Sequence, residues 1–194
     1  IRDRFLYNED IYAFYGSVQK EWDAWSISGG LRMERTVYSG NSITSNTSFN
    51  KNRLDFFPTL FFQRQFGENH SLNLSYGRRI LRPAYEYLNP FIDYETPYSY
   101  STGNPDLQPA FANSIELSYL YKKKYYFNMG YKNTASLVGE MLEKDSDGLT
   151  VVSTYSNLSD EHYYFLSSSI PIKVTDWYSC LLYTSDAADE EDSV

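Results

Sequence analysis

From Ser71 to Arg79 the chain alternates strictly. Leu72, Leu74 and Tyr76 fall on one side of an extended backbone, and Ser71, Asn73, Ser75, Gly77 and Arg79 fall on the other. Successive side chains of a strand point to opposite faces, so this period predicts a strand lying between an apolar and a wet environment. The pattern recurs over Trp25–Glu34, at Ile115, Leu117, Tyr119 and Tyr121, and at Tyr125, Phe127, Met129 and Tyr131. Asp10–Gln19, Arg53–Phe66 and Glu161–Ile172 read as strands with looser alternation. No window sustains a 3.6-residue period, and no stretch approaches the ~20 apolar residues of a membrane-spanning helix.

The connectors between these strands are unequal, and short ones alternate with long ones. Short ones fall near Glu21–Ala24, Gly67–Asn69, Lys122–Lys124 and Lys173–Asp176. Long ones run over Tyr38–Asn52, Leu81–Ala110 and Leu142–Leu158. A soluble sandwich has no reason to sort connector lengths by end. An outer-membrane barrel does, with tight periplasmic turns below and long external loops above. The expected fold is therefore all-β: about seven or eight meandering strands of a large antiparallel transmembrane β-barrel. Its apolar face meets outer-membrane lipid and its polar face lines a wet lumen. The 20 Tyr, 12 Phe and 3 Trp fit aromatic girdles, with Tyr119, Tyr121, Tyr125 and Tyr131 expected at the membrane surfaces. Open sheet edges are not tolerated in lipid, so residues 1–179 are expected to be part of a barrel completed by further strands.

The longest connector poses its own question. Arg78–Pro109 holds Pro83, Pro90, Pro97, Pro105 and Pro109, together with Tyr85, Tyr87, Tyr94, Tyr98 and Tyr100. Disordered linkers are poor in aromatics, whereas ordered functional loops pack on their own side chains. The prolines fix φ and lower the entropy lost on ordering. Gly103-Asn104-Pro105 is expected to form a turn in which Gly103 is free to take a positive φ and Pro105 pushes Asn104 toward an extended conformation. The Arg82–Phe91 half is expected to pack on the barrel rim, leaving Tyr94, Tyr98 and Tyr100 as candidate ligand-binding residues in an extracellular loop.

Within this stretch lie the segments GRRILRPAYEYLNPF (Gly77–Phe91) and GNPDLQPAFANSIELSY (Gly103–Tyr119). With EDIYAFY (Glu9–Tyr15), GLRMERT (Gly30–Thr36), FPTLFFQRQF (Phe57–Phe66), YSNLSDEHYYF (Tyr155–Phe165) and a strand start at Trp177, they run in order along residues 1–179. In these motifs the chain resembles the outer-membrane β-barrel family of TonB-dependent receptors. The resemblance implies a barrel of about 22 strands around a plug domain. It also implies uptake of a scarce nutrient, a siderophore, glycan or similar, driven by a TonB-type energy-coupling protein that binds an N-terminal box. The passive porin-type channel and the soluble glycan-binding β-sandwich are the alternatives.

The last segment, CLLYTSDAADEEDSV (Cys180–Val194), breaks the preceding pattern and resembles an in-frame translation of a transposon-end sequencing adapter. Residues 180–194 are therefore expected to be a non-native tail. Five of its residues are acidic; setting them aside moves the net charge from −8 to −3, too mild to call for nucleic acid. Catalytic residues, metal ligands and cofactors are not expected. Glu34, Glu116 and Glu161 read as lumen carboxylates without acid/base spacing. His70 and His162 lack metal-ligand neighbours in sequence, and Asp145-Ser146-Asp147-Gly148 reads as a loop tip closed by glycine rather than a calcium loop.

Overall fold

The computed structural model describes residues 4–146, 148–173 and 179–191. Eight strands form one antiparallel meander: β1 (Phe5–Trp22), β2 (Trp25–Ser42), β3 (Thr47–Phe66), β4 (His70–Leu81), β7 (Ala110–Tyr121), β8 (Tyr125–Ala135), β11 (Glu161–Lys173) and β12 (Ser179–Glu191). Every predicted strand is present. The short turns fall at Asp23–Ala24, Gly67–Asn69 and Lys122–Lys124, and the first residues of the latter two turn the chain with positive φ: Gly67 at 61° and Lys122 at 49°. The expected Lys173–Asp176 connector and the strand start at Trp177 lie outside the described residues, apart from Lys173 itself.

The register shows the two environments directly. One ladder row crosses the whole sheet as Glu21, Ser26, Gln63, Asn73, Ser118, Asn128, Ser167 and Ser185. One residue away, on the opposite face, the row reads Lys20, Ile27, Phe62, Leu74, Leu117, Met129, Leu166 and Asp186. Its six central members are apolar. Among the described residues no second layer covers this face: Met129 is 50% exposed, Leu166 59%, and Val18 on the same face 78%. A sheet whose apolar face is bare is built for lipid, which disfavours the soluble sandwich. Rings mark the turn end, where Trp22 stacks on Trp25 at 3.6 Å and the His70 ring lies 4.9 Å from that of Tyr121.

The long connectors are more ordered than the sequence suggests. Tyr38–Asn52 is mostly strand, because β2 and β3 stay paired up to Ser42 and Thr47, leaving a turn at 43–46. Leu81–Ala110 contains a 3-10 turn (Tyr85–Leu88) and a hairpin of β5 (Ile92–Thr96) and β6 (Ser99–Thr102). Leu142–Leu158 belongs largely to a second hairpin of β9 (Val138–Lys144) and β10 (Val151–Asn157). These local pairings have weak sequence periodicity, since their strands are four to seven residues long. The two hairpins merge into a second sheet of order β5-β6-β10-β9, through a parallel contact between β6 and β10.

Backbone contacts seat this second sheet. The Gly103 N–H donates to the Asn89 carbonyl at 3.0 Å and the Asn104 N–H to the Tyr87 carbonyl at 2.6 Å, so the LNP and GNP segments lock to each other. Gly103 does not use its freedom to take a positive φ. Its requirement is space: a Cβ there would stand 2.5 Å from the Asn89 oxygen and 2.6 Å from that of Tyr87. The Asn104 side chain accepts from the Asp106 N–H at 2.9 Å and donates to the Tyr155 carbonyl at 3.0 Å. Asn157 returns the link, accepting from the Gln108 N–H at 2.9 Å and donating to the Gln108 carbonyl at 2.8 Å and the Ser136 carbonyl at 3.0 Å. The buried apolar residues lie in the long loops, in the second sheet and on β2, β3 and β7. Among the described residues they are Tyr38, Phe57, Leu88, Leu107, Ala110, Ala112 and Val152.

Two outcomes follow from this geometry. Leu117→Arg should destabilise the inserted barrel by about 2–4 kcal/mol, while Ser118→Arg, one residue along and facing water, should cost far less. Denaturant unfolding of the complete barrel in lipid vesicles distinguishes them, and equal penalties would overturn the assignment of faces. Gly103→Ala should cost about 1–3 kcal/mol by overpacking against fixed carbonyls. The barrel would still assemble but the long loop would become protease-sensitive, so unchanged resistance in limited proteolysis would refute the close-approach argument.

Candidate functional site

The hairpin that carries the candidate tyrosines is projected by two anchored legs. The first leg leaves β4 at Leu81, where Pro83 ends regular pairing by lacking a donor. Its Arg82 guanidinium turns inward, with Nη2 2.6 Å from Glu34 Oε2 and Nε 3.5 Å from Glu9 Oε1. Arg32 also pairs with Glu34, whose side chain is only 2% exposed. A carboxylate that deep needs its charge matched, and two arginines supply the match. Further along, the Ser45 hydroxyl donates to the Pro90 carbonyl at 3.3 Å and Leu88 is buried, so the expected rim packing of Arg82–Phe91 is present.

The second leg is Gly103–Pro109. The β3–β4 ladder begins only at Thr59, so among the described residues the upper part of β3 is not paired with β4. Lys51 and Arg53 on that part reach the returning loop instead. Lys51 Nζ donates to the Pro105 carbonyl at 2.8 Å, and Arg53 Nη1 to Gln108 Oε1 at 2.9 Å. Both legs therefore rest on the rim, and residues 92–102 stand out from it.

On the projecting hairpin the three tyrosines part company. Tyr94 and Tyr98 are each 68% exposed, the first on β5 and the second in the β5–β6 turn. Tyr100 sits opposite Tyr94 with ring centroids 5.5 Å apart, and its hydroxyl donates to Asp145 Oδ2 at 3.1 Å. Tyr100 is thus half-buried and ties β6 to the tip of the β9–β10 hairpin, a positioning contact. Tyr87 stacks on Tyr155 at 3.9 Å and joins the two long loops. Burial raises the Tyr155 phenol, reinforced by Tyr87, Glu140 and Glu86, so it stays neutral in that stack. Tyr85, 57% exposed, remains on the surface.

At Asp145 the loop tip is closed by Gly148, whose φ is 70° and whose N–H donates to the Asp145 carbonyl at 2.8 Å; Asp147 lies outside the described residues. The two histidines are engaged within the wall. The Tyr119 hydroxyl lies 2.6 Å from His70 Nδ1, and that of Tyr131 lies 2.8 Å from His162 Nδ1. Among the described residues, no group of three His, Cys, Asp or Glu side chains is placed to hold a metal ion. Glu34 and Glu116 share a cleft of about 720 Å³ with Arg32, Arg78, Arg79 and Arg82, while Glu161 stands apart from it on β11.

Sequence reasoning missed Arg82, Asn104 and Asn157 as organising residues. The signal was available, since each lies in one of the ordered motifs, but a motif does not say which partner a polar side chain will find.

Several solved structures share this architecture. The siderophore receptor PirA of Pseudomonas aeruginosa superposes with a TM-score of 0.60 at 13% identity, covering 96% of this chain and 44% of that one. The FrpB iron transporter of Neisseria meningitidis gives 0.59 at 14% identity, covering 93% and 26%. The copper transporter OprC gives 0.60 at 12% identity, covering 86% and 27%. This chain therefore spans less than half the length of each, and at such identities the likeness establishes the fold alone. No curated protein sequence matches it. Residues 1–189, nearly the whole chain, match the outer membrane protein beta-barrel family. The chain belongs to that family and is a stretch of β-barrel wall from the outer membrane of a Gram-negative bacterium.

Proposed function

We propose that this wall belongs to a TonB-dependent import receptor whose loop end faces the outside and captures a scarce nutrient. The observation that carries the reading is the second sheet. Two long loops, separated in sequence by β7 and β8, are knit by Asn104, Asn157 and the Tyr87–Tyr155 stack into one platform that displays Tyr94 and Tyr98. A passive pore has little use for such a platform, whereas a receptor needs rigid aromatic surfaces that lose little entropy on binding. The proteins that share the fold are a siderophore receptor, an iron transporter and a copper transporter, which supports the import reading without fixing the cargo. Energy would come from a TonB-type protein acting through a region outside this sequence.

Replacing Tyr94 and Tyr98 together with Ala should weaken uptake of the cognate nutrient about tenfold or more, the loss of two aromatic contacts. Barrel assembly, read by heat-modifiable gel mobility, should not change. Uptake by the unaltered receptor should stop when the proton-motive force is collapsed. Uptake that continues without it would identify a passive channel, and normal uptake by the double variant would remove the tyrosines from ligand contact.

The two-environment pattern holds through β11 and fails in β12. There Asp186 stands opposite Leu166 in the lipid-facing row, while Leu181 and Tyr183 take the other face. A carboxylate in that row is costly, which supports residues 180–194 being non-native. Sequencing the gene directly from genomic DNA should show apolar–polar alternation after Ser179; finding CLLYTSDAADEEDSV in place would refute the assignment.

A further inference from the structure

The second sheet has an open edge. β5 borders β6 on one side, and among the described residues no strand pairs with its other side. All five of its residues, Ile92–Thr96, are exposed. An edge of this kind presents a row of unpaired N–H and C=O groups and serves as a template for one more strand. Its pairing with β6 is regular from Ile92 to Tyr94 and shifts register only between Tyr94 and Thr96, so a short straight template remains.

Charge decides what fits there. Residues 85–109 and 137–160, which contain the second sheet and its flanks, hold nine acidic residues against Lys144 alone. Asp93 and Glu95 lie on the edge itself. A second copy of this chain would bring acid against acid, which cross-strand pairing penalises, whereas a cationic chain would gain at each such position. The open faces of Tyr94 and Tyr98 add sites where lysine or arginine can stack.

We propose that β5 binds an extended, lysine- or arginine-bearing peptide segment by strand addition, with Asp93 and Glu95 selecting its charge and Tyr94 and Tyr98 cradling its side chains. This rests on the loop end being the ligand-capturing face, and it names the ligand class as a cationic polypeptide.

The test uses the complete receptor in outer-membrane vesicles and a fluorescent ten-residue peptide of alternating Lys and Thr. Three comparison peptides accompany it: two methylated on every second backbone nitrogen, one in each phase, and one with Glu replacing Lys. The Lys peptide should bind, and one of the two methylated phases should bind about tenfold more weakly or worse, the loss of a few backbone hydrogen bonds. The Glu peptide should not bind. The isosteric Asp93→Asn/Glu95→Gln receptor should lose several-fold in affinity, with a flatter salt dependence. Equal binding of both methylated phases would leave only diffuse charge attraction and overturn the proposal, as would equal binding of the Glu peptide. Binding is read without energy supply. Discrimination among the peptides together with energy-independent uptake would therefore sink the import reading alone, and energy-dependent uptake without discrimination would sink this one alone.

Discussion

Hydrocarbon offers no hydrogen-bond partner, and each backbone N–H or C=O left unpaired in it costs several kcal/mol. Most of what is regular in this chain answers to that cost. From β1 to β12 each strand is paired antiparallel with the next in the sheet, over eight residues at the shortest ladder and eighteen at the longest. The pleat then forces one face outward, which is why Leu74, Leu117, Met129 and Leu166 share a row. The turns at Gly67 and Lys122 are short because nothing at that end needs more chain than a reversal of direction.

Above the membrane the constraint changes, and so does the way the structure is held. Water is available there, so order has to come from burial and from polar links that outcompete solvent. Leu88 and Leu107 are each 1% exposed and supply the burial. Asn104 and Asn157 supply links between loops some fifty residues apart in the chain. Arg82 joins the two regimes. Its charge is satisfied by Glu34 and Glu9 on the wall, while its backbone is the first step of the loop, so the loop's starting direction is set by an ion pair that burial makes costly to break.

The wall was legible because its signal is repeated: alternation over eight or more residues, connector lengths sorted by end, and motifs in order. β4 could be placed to within a residue or two and β8 at its start, while the end of β8 runs on past the alternation to Ala135. The platform was not legible, for physical reasons that differ by element. β6 has four residues and β10 seven, too few for a period to stand out, and the parallel contact between them leaves no local trace at all. Gly103 was recognised as special for the wrong cause: a sequence suggests torsional freedom at any glycine, but only coordinates reveal two carbonyls where a methyl would go. Tyr94, Tyr98 and Tyr100 read alike in the sequence, yet the Asp145 carboxylate that sets Tyr100 apart lies 45 residues away.

The parallel pairing of β6 with β10 has a consequence for how the barrel is built. The segment between them includes β7 and β8, a hairpin that crosses to the far side of the sheet and returns. The two partners therefore reach each other only after that hairpin has been laid into the wall in its correct register. A one-residue slip there would also move Asn157 away from Gln108. Closure of the outer sheet is thus tied to the register of the strands beneath it.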